Sequence, residues 1–357
     1  MNIAFYLDEM NFRGVANSVF QYSHYNEKIL KNKSIIFYNK KNRFNKKVVI
    51  DKFKKRFPVI GVDNFIDIEK FHKKFNLEYI YVQKGGEKDN WISKKIKTLI
   101  HCVYPQYLKH LHGYKYAYIS EWLSKKFSNR KLPYVPYIIE LSKNNNTLRK
   151  KLKIKTKSIV FGCHGGESSF DLLFVKDSLL KIVKNRKDIF FIFLNINKFC
   201  NHRQIIFLKG TANENYKRSF LNTCDAMIYG RSLGESFGLS CGEFSVLGKK
   251  IISYRYNRHR SHEFNTNKNA FVEYSNKKEL INIIQSFKKI KKGKNYSKYL
   301  LYTPKKVMNT FNEVFLKKSN KTNLDLFDYS INHFSFLALY YNYLKHKIYN
   351  HYYNLIK

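Results

Sequence analysis

Residues 229–244 read Tyr229-Gly230-Arg231-Ser232-Leu233-Gly234-Glu235-Ser236-Phe237-Gly238-Leu239-Ser240-Cys241-Gly242-Glu243-Phe244. A short apolar strand, Ala226–Tyr229, runs into a glycine-bearing loop that carries Glu235. The pattern predicts a helix starting near Gly238, with Glu243 in its second turn. Backbone N–H groups left exposed at a helix start favour an anion, and here they lie beside a carboxylate. Glu235 and Glu243 stand eight residues apart, about two turns if the interval is helical and farther if the loop is extended. One carboxylate can therefore meet one end of a polyhydroxylated ligand and the second its other end. Carboxylates accept hydrogen bonds from vicinal hydroxyls, as acidic residues do on a nucleotide ribose in other α/β folds. The plainer reading is two solvated acids at a helix start. It fits less well in a chain with 26 Asp+Glu against 67 Lys+Arg, and with the small residues Gly238 and Gly242 between the two.

Outward from this segment, strands and helices alternate. Asn2–Leu7, Lys33–Tyr38, Glu78–Gln83, Thr98–Tyr104 and Tyr116–Ser120 read as strands, with a helical stretch from Val15. The same grammar restarts at Ser158–Gly162, which enters the turn Gly162-Cys163-His164-Gly165-Gly166. A helix follows near Leu172–Lys184, then strands Ile189–Leu194 and Ile205–Leu208, a helix around Tyr216–Thr223, strands Ala226–Tyr229 and Lys250–Tyr254, and a helix over Lys277–Phe287. Such alternation implies parallel sheets covered on both faces. Two of the five prolines, Pro133 and Pro136, precede a polar stretch from Glu140 to Asn146, which reads as the join between two lobes. The expected division is 1–136, 137–300, and a helical extension over 301–357. In that extension Thr303-Pro304 reads as a helix start, followed by Val307, Phe311, Val314 and Phe315 at helical spacing. A last helix from about Leu324 puts Phe327, Ile331, Phe334, Tyr341, Leu344, Ile348, Tyr352 and Leu355 near one face. Such a stripe reads as a core seam; a Tyr- and Lys-rich amphipathic helix lying on a membrane is the alternative.

The chain has 357 residues, 44% hydrophobic and 17% aromatic, which suits two domains with their own cores and argues against disorder. The formal net charge is +41. Basic residues are spread along the whole sequence rather than gathered in one arm, and Lys, Asn, Ile, Tyr and Phe are the residues of AT-rich codons. The charge therefore reads as a solvated basic surface, with an anionic membrane face as a candidate partner; nucleic acid is not expected. No apolar run approaches the roughly 20 residues of a membrane span, and Met1–Asp8 has no basic leader segment. The five cysteines are scattered without a CxxC pair and read as reduced thiols, not a disulfide frame or zinc site. These features predict a cytoplasmic protein, with a peripheral position on a membrane as the variant. No acidic cluster suggests a metal.

Residues 231–244 resemble the E-x7-E signature of retaining GT-B glycosyltransferases, the group that includes glycogen and sucrose synthases. The usual form, Pro-Ser-x-x-Glu-Gly-Phe-Gly-Leu-Pro-x-x-Glu-Ala, is matched by Ser232, Glu235, Phe237, Gly238, Leu239 and Glu243. Asn222–Ile228, Gly248–Ile252 and Phe207-Leu208-Lys209-Gly210 resemble the neighbouring strands of that group, and coverage is good from about Ile100 to Phe287. The resemblance implies a GT-B fold: two Rossmann-like α/β lobes facing across a cleft, with the acceptor on the N-terminal lobe and the donor on the C-terminal one. It implies transfer of a sugar from a nucleoside diphosphate donor, of UDP or GDP type, to a hydroxyl on a glycan, lipid-linked or protein acceptor, with configuration retained. No required metal or further cofactor is expected.

By the same resemblance, Glu235 would touch the sugar hydroxyls, Phe237, Gly238 and Leu239 would present backbone N–H groups, and Glu243 would bind the ribose. His101 resembles the N-lobe histidine near the transferred sugar, and Arg13-Gly14 the glycine loop that approaches the diphosphate. The group's usual Gly-Arg and Lys-Gly, whose cations neutralise the leaving diphosphate, are replaced here by Gly162-Cys163-His164-Gly165-Gly166. Arg231, in place of the usual proline, is the expected substitute, with His164 and Lys209 next, because charge stabilisation is the main protein contribution to such a departure. The competing readings are a catalytically degenerate binding protein of the same fold and a basic nucleic-acid-associated protein.

Overall fold

A computed structural model of the chain describes residues 1–289, 297–317 and 329–355. It divides into two compact units, Met1–Ile138 with Leu301–Phe336, and Ile139–Leu300 with Leu337–Lys357.

The first unit begins β1 (Asn2–Leu7), α1 (Gly14–Lys28), β2 (Lys33–Asn39), α2 (Lys47–Lys54), β3 (Val59–Val62) and α3 (His72–Phe75). It continues with β4 (Tyr79–Lys84), β5 (Lys97–Cys102), β6 (Lys115–Tyr118) and α4 (Glu121–Ser128). The strands form one six-stranded sheet in the order β3-β2-β1-β4-β5-β6, parallel throughout. Its central strands are continuous apolar runs, with Ile3 to Leu7 and Tyr79 to Val82 all buried, as a parallel sheet covered on both faces requires.

The second unit runs β7 (Ile159–His164), α5 (Leu173–Asn185), β8 (Ile189–Leu194), β9 (Ile205–Leu208), α6 (Glu214–Thr223) and β10 (Ala226–Tyr229). After it come β11 (Gly234–Glu235), α7 (Leu239–Ser245), β12 (Lys250–Tyr254), β13 (His259–Arg260), α8 (Ser261–Asn265), β14 (Phe271–Tyr274) and α9 (Lys277–Gln285). Its large sheet has the order β14-β12-β10-β7-β8-β9, and β11 pairs with β13 in a separate ribbon. Counted from its own first strand, each six-stranded sheet has the order 3-2-1-4-5-6, the doubly wound Rossmann arrangement. The expected α/β class with two Rossmann-like halves is therefore what the chain adopts.

Helix α10 (Pro304–Phe311) follows Thr303, with proline at its first position. Its Phe311 packs on the rings of Tyr22 and Tyr81 in the first unit, with centroids 5.3 and 5.4 Å apart. Helix α11 spans Tyr329–Leu355; Phe327 and a helix start at Leu324 lie outside the described residues. The expected core seam on this helix is corrected by the structure: Phe334, Tyr341, Leu344, Ile348 and Tyr352 are exposed. The covered side is the opposite one, where Leu339 is buried and Tyr349 packs on Phe174 at 5.0 Å. Tyr353 donates a 2.6 Å hydrogen bond to Asp177 on α5, and Asn276-capped α9 offers the Lys277 N–H to the Tyr349 hydroxyl. Both faces carry aromatic rings, and these hydroxyl contacts favour the face that docks.

Candidate active site

In a doubly wound sheet, ligands bind beyond the carboxyl ends of the strands where the order reverses. In the second unit that switch point lies between β7 and β10, because β7 pairs with β8 on one side and β10 on the other. His164 ends β7 and Tyr229 ends β10.

The chain leaves β10 through Gly230, where a Cβ would come within 2.7 Å of the Phe170 ring. Asp171 then fixes the loop, accepting from the Ser232 N–H and hydroxyl at 2.8 Å each. Gly234 follows with φ +71°, and a Cβ there would stand 2.0 Å from the His259 carbonyl oxygen. Only glycine allows β11 to lie this close to β13, and the ribbon they form presents Glu235. Glu235 Oε1 accepts from the Tyr229 hydroxyl at 2.8 Å and lies 3.3 Å from the Arg231 guanidinium. Burial, reinforced by the Glu235 charge, pushes the Tyr229 phenol far up, so it stays protonated and donates.

Gly238 caps α7 with φ +89°. A Cβ on Gly238 would be 2.9 Å from the Tyr299 hydroxyl, and one on Gly242 would be 2.8 Å from both Ile139 and the Tyr299 ring. Tyr299 in turn donates to the Phe237 carbonyl at 2.7 Å. These contacts explain the small residues of the segment: α7 sinks into the unit, with Ser240 to Ser245 all buried.

Burial carries Glu243 inward to 4% exposure. Its Oε1 accepts from Lys217 Nζ at 2.8 Å. Lys217 is on α6, which Asn213 caps by accepting from the Tyr216 N–H, and it also pairs with Glu214 at 2.9 Å. His164 Nε2 stands 2.9 Å from Glu243 Oε2, so the carboxylate lies between a lysine and a histidine. Burial opposes the Glu243 charge, yet Lys217 and His164 outweigh it and hold the carboxyl down at about 2. Burial likewise opposes the Lys217 charge, and Glu243 and Glu214 overcome it, raising the ammonium above its ordinary value.

Two groups of predicted residues are thus brought together, Glu235 with Arg231 and Glu243 with His164, flanking the turn Phe237-Gly238-Leu239. Gly165 adjoins His164, and its carbonyl accepts from Asn195 at 2.7 Å. Lys209 and Gly210 are not part of the cluster: they follow β9, the edge strand two places from β7, and Lys209 is exposed. His101, Arg13 and Gly14 belong to the first unit. Arg13 is exposed ahead of α1, with a 3.5 Å ion pair to Glu9. His101 is 0% exposed, its Nδ1 2.5 Å from the Tyr81 hydroxyl and its Nε2 2.9 Å from the Val135 carbonyl. Burial holds it neutral, down at about 3. In this arrangement both ring nitrogens are occupied within the first unit's core.

Lys217, Tyr229 and Tyr299 are the site residues that sequence reasoning missed. The readable signal was slight: Lys217 stands three residues after Glu214 behind a capping asparagine, a pattern common on solvated helices. Among the described residues, no three His, Cys, Asp or Glu side chains gather in a metal-holding group.

No protein-family model matches the chain, and no curated protein is similar to it in sequence. Solved structures are similar in fold. A glycosyltransferase from Rickettsia africae aligns over 96% of this chain and 98% of its own, with TM-score 0.56 and 16% identity. Anabaena HepE in complex with UDP-glucose aligns over 95% and 99%, with TM-score 0.57 and 12% identity. The lipopolysaccharide outer core galactosyltransferase WaaB aligns over 89% and 100%, with TM-score 0.54 and 11% identity. The chain thus has the GT-B fold of these glycosyltransferase structures.

Proposed function

We propose that the protein is a glycosyltransferase that binds a nucleoside diphosphate sugar at the β7/β10 switch point and transfers the sugar, with retention, to a hydroxyl acceptor. The observation that carries this reading is Glu243, a buried acid held ionised between Lys217 and His164 at the end of β7. A carboxylate held ionised accepts hydrogen bonds from vicinal hydroxyls, as acidic residues do on a nucleotide ribose in other α/β folds. Glu235, aimed by Tyr229, would then accept from the sugar hydroxyls, and the Phe237–Leu239 backbone would face sugar and phosphate. Arg231 would screen the charge that develops on the departing diphosphate. Orientation and leaving-group stabilisation carry the rate, the acceptor giving its proton late to the departing phosphate, so the reaction needs no metal. The UDP-glucose held by Anabaena HepE supports a UDP-type donor on this fold.

One observation favours a second reading, a catalytically degenerate binding protein. The two cations gathered at the site already face carboxylates, Lys217 with Glu243 and Glu214, and Arg231 with Glu235. A diphosphate would have to draw on cations already engaged.

The experiment is a thermal-shift screen with UDP, GDP and their sugars, followed by assay of diphosphate release from the stabilising donor. Stabilisation with turnover supports the transferase, and stabilisation without turnover supports the degenerate binder. A flat response to every nucleotide overturns both.

A further inference from the structure

Helix α11 docks by one face and leaves the other to solvent. On the exposed side, Leu337, Tyr341, Leu344, Ile348 and Tyr352 are 62%, 57%, 39%, 65% and 62% exposed. At about 100° per residue these five fall within roughly 80° of arc, directed away from the side that carries Leu339, Tyr349 and Tyr353. Large apolar side chains lined up along one solvent-facing stripe are unusual for a surface that stays in water. Tyr349 and Tyr353 hold the helix against α5 and α9, so the stripe lies on an anchored helix.

The chemistry of its edges identifies the occupant. Helix α11 contains no Asp or Glu over its 27 residues. Lys345 and Lys347 are exposed and fall on opposite flanks of the stripe, with Lys345 Nζ 5.4 Å from the Tyr341 ring centroid. Tyrosines with an apolar body and a wet hydroxyl, bordered by long cationic side chains, match the boundary between lipid acyl chains and headgroups. The formal net charge of +41 draws the molecule to a negative surface and repels a second copy of itself. No described helix is long and apolar enough to cross a membrane, so contact would be lateral. We infer that α11 seats the protein on an anionic lipid bilayer, lying in its surface with the Leu337–Tyr352 stripe in the headgroup region. This rests on the stripe alone and stands whether or not the site turns over a sugar.

The test is co-sedimentation of the full chain with vesicles of phosphatidylcholine alone and of phosphatidylcholine with about a third phosphatidylserine, set by the anionic-leaflet requirement. Binding to the anionic vesicles only is expected, falling at least tenfold in the Leu344→Glu/Ile348→Glu variant with its melting midpoint retained. Equal binding by variant and parent would place the contact elsewhere on the basic surface and overturn the inference. So would binding to RNA but not to vesicles, or a dimer of the parent that the substitutions dissolve. As an independent readout, Ile348→Trp should shift its emission to the blue on adding anionic vesicles; unchanged emission would overturn the inference even if the double variant fails to fold.

Discussion

Tyr229 donates its phenolic proton to Glu235 across 2.8 Å, so the last residue of a buried strand aims a carboxylate that belongs to the next ribbon. Replacing it by phenylalanine keeps the ring, which packs 5.1 Å from His262, and removes only the donor. Hydrogen bonds to charged groups contribute about 1.5–3 kcal/mol, and each 1.36 kcal/mol is tenfold in rate. Tyr229→Phe should therefore lower kcat by roughly ten- to a hundredfold with a smaller change in donor KM, as read from steady-state kinetics. A lowered melting midpoint with kcat intact would mean the hydroxyl serves stability alone.

The buried pair Lys217–Glu243 predicts an asymmetric stability effect. Side-chain exposures of 15% and 5% leave little water to screen it, and removing one partner of a buried pair costs about 3–5 kcal/mol. Lys217→Met should lose on this order in urea unfolding, and adding Glu243→Gln should recover much of it. Losses that simply add in the double variant would show that the pair does not interact.

Acid unfolding follows from the same carboxyl. Glu243 is held at about 2 against an ordinary 4.5, so its charge stabilises the fold fully above about pH 4.5. That contribution falls away as the pH drops toward 2, because below both values the carboxyl is protonated folded or unfolded. In Lys217→Met the Glu243 value rises and the acid midpoint should move to higher pH; circular dichroism against pH checks this.

Backbone geometry gives a graded prediction at two glycines. Gly234 has φ +71° and a Cβ there would meet the His259 carbonyl at 2.0 Å, whereas Gly248 has φ +69° with nothing within 4 Å. Alanine at Gly248 should cost about 1 kcal/mol from strain alone, and at Gly234 several-fold more, since β11 and β13 must also part. Denaturant midpoints measure both; equal losses would mean the close approach is relieved freely.

The core strands were legible because Ile189–Leu194 and Ala226–Tyr229 are unbroken apolar runs of the kind a doubly covered parallel sheet needs. β3 and β14 went unread: each is four residues long, lies at a sheet edge and is only partly buried, and Gly61 interrupts the first. The helix carrying Glu243 was legible through its glycines, but the partner Lys217 was not. A lysine reaching inward resembles the many that reach outward until the acid it meets is known. On α11 the periodicity was readable while the choice of face was not, since both faces are aromatic and partners distant in sequence, such as Asp177 and the Lys277 N–H, select one.

The central claim is that Glu235 and Glu243 hold opposite ends of one activated sugar, and the most direct measurement is donor binding and turnover in parent and Glu235→Gln protein. Calorimetric titration with the free nucleoside diphosphate should give the same affinity in both, since Glu243 and His164 are untouched. Diphosphate release from the matching sugar nucleotide should fall by about two orders of magnitude in the variant, in keeping with the loss of a group that orients the sugar for reaction. Absence of nucleotide binding in the parent, or undiminished turnover in Glu235→Gln, would contradict the account.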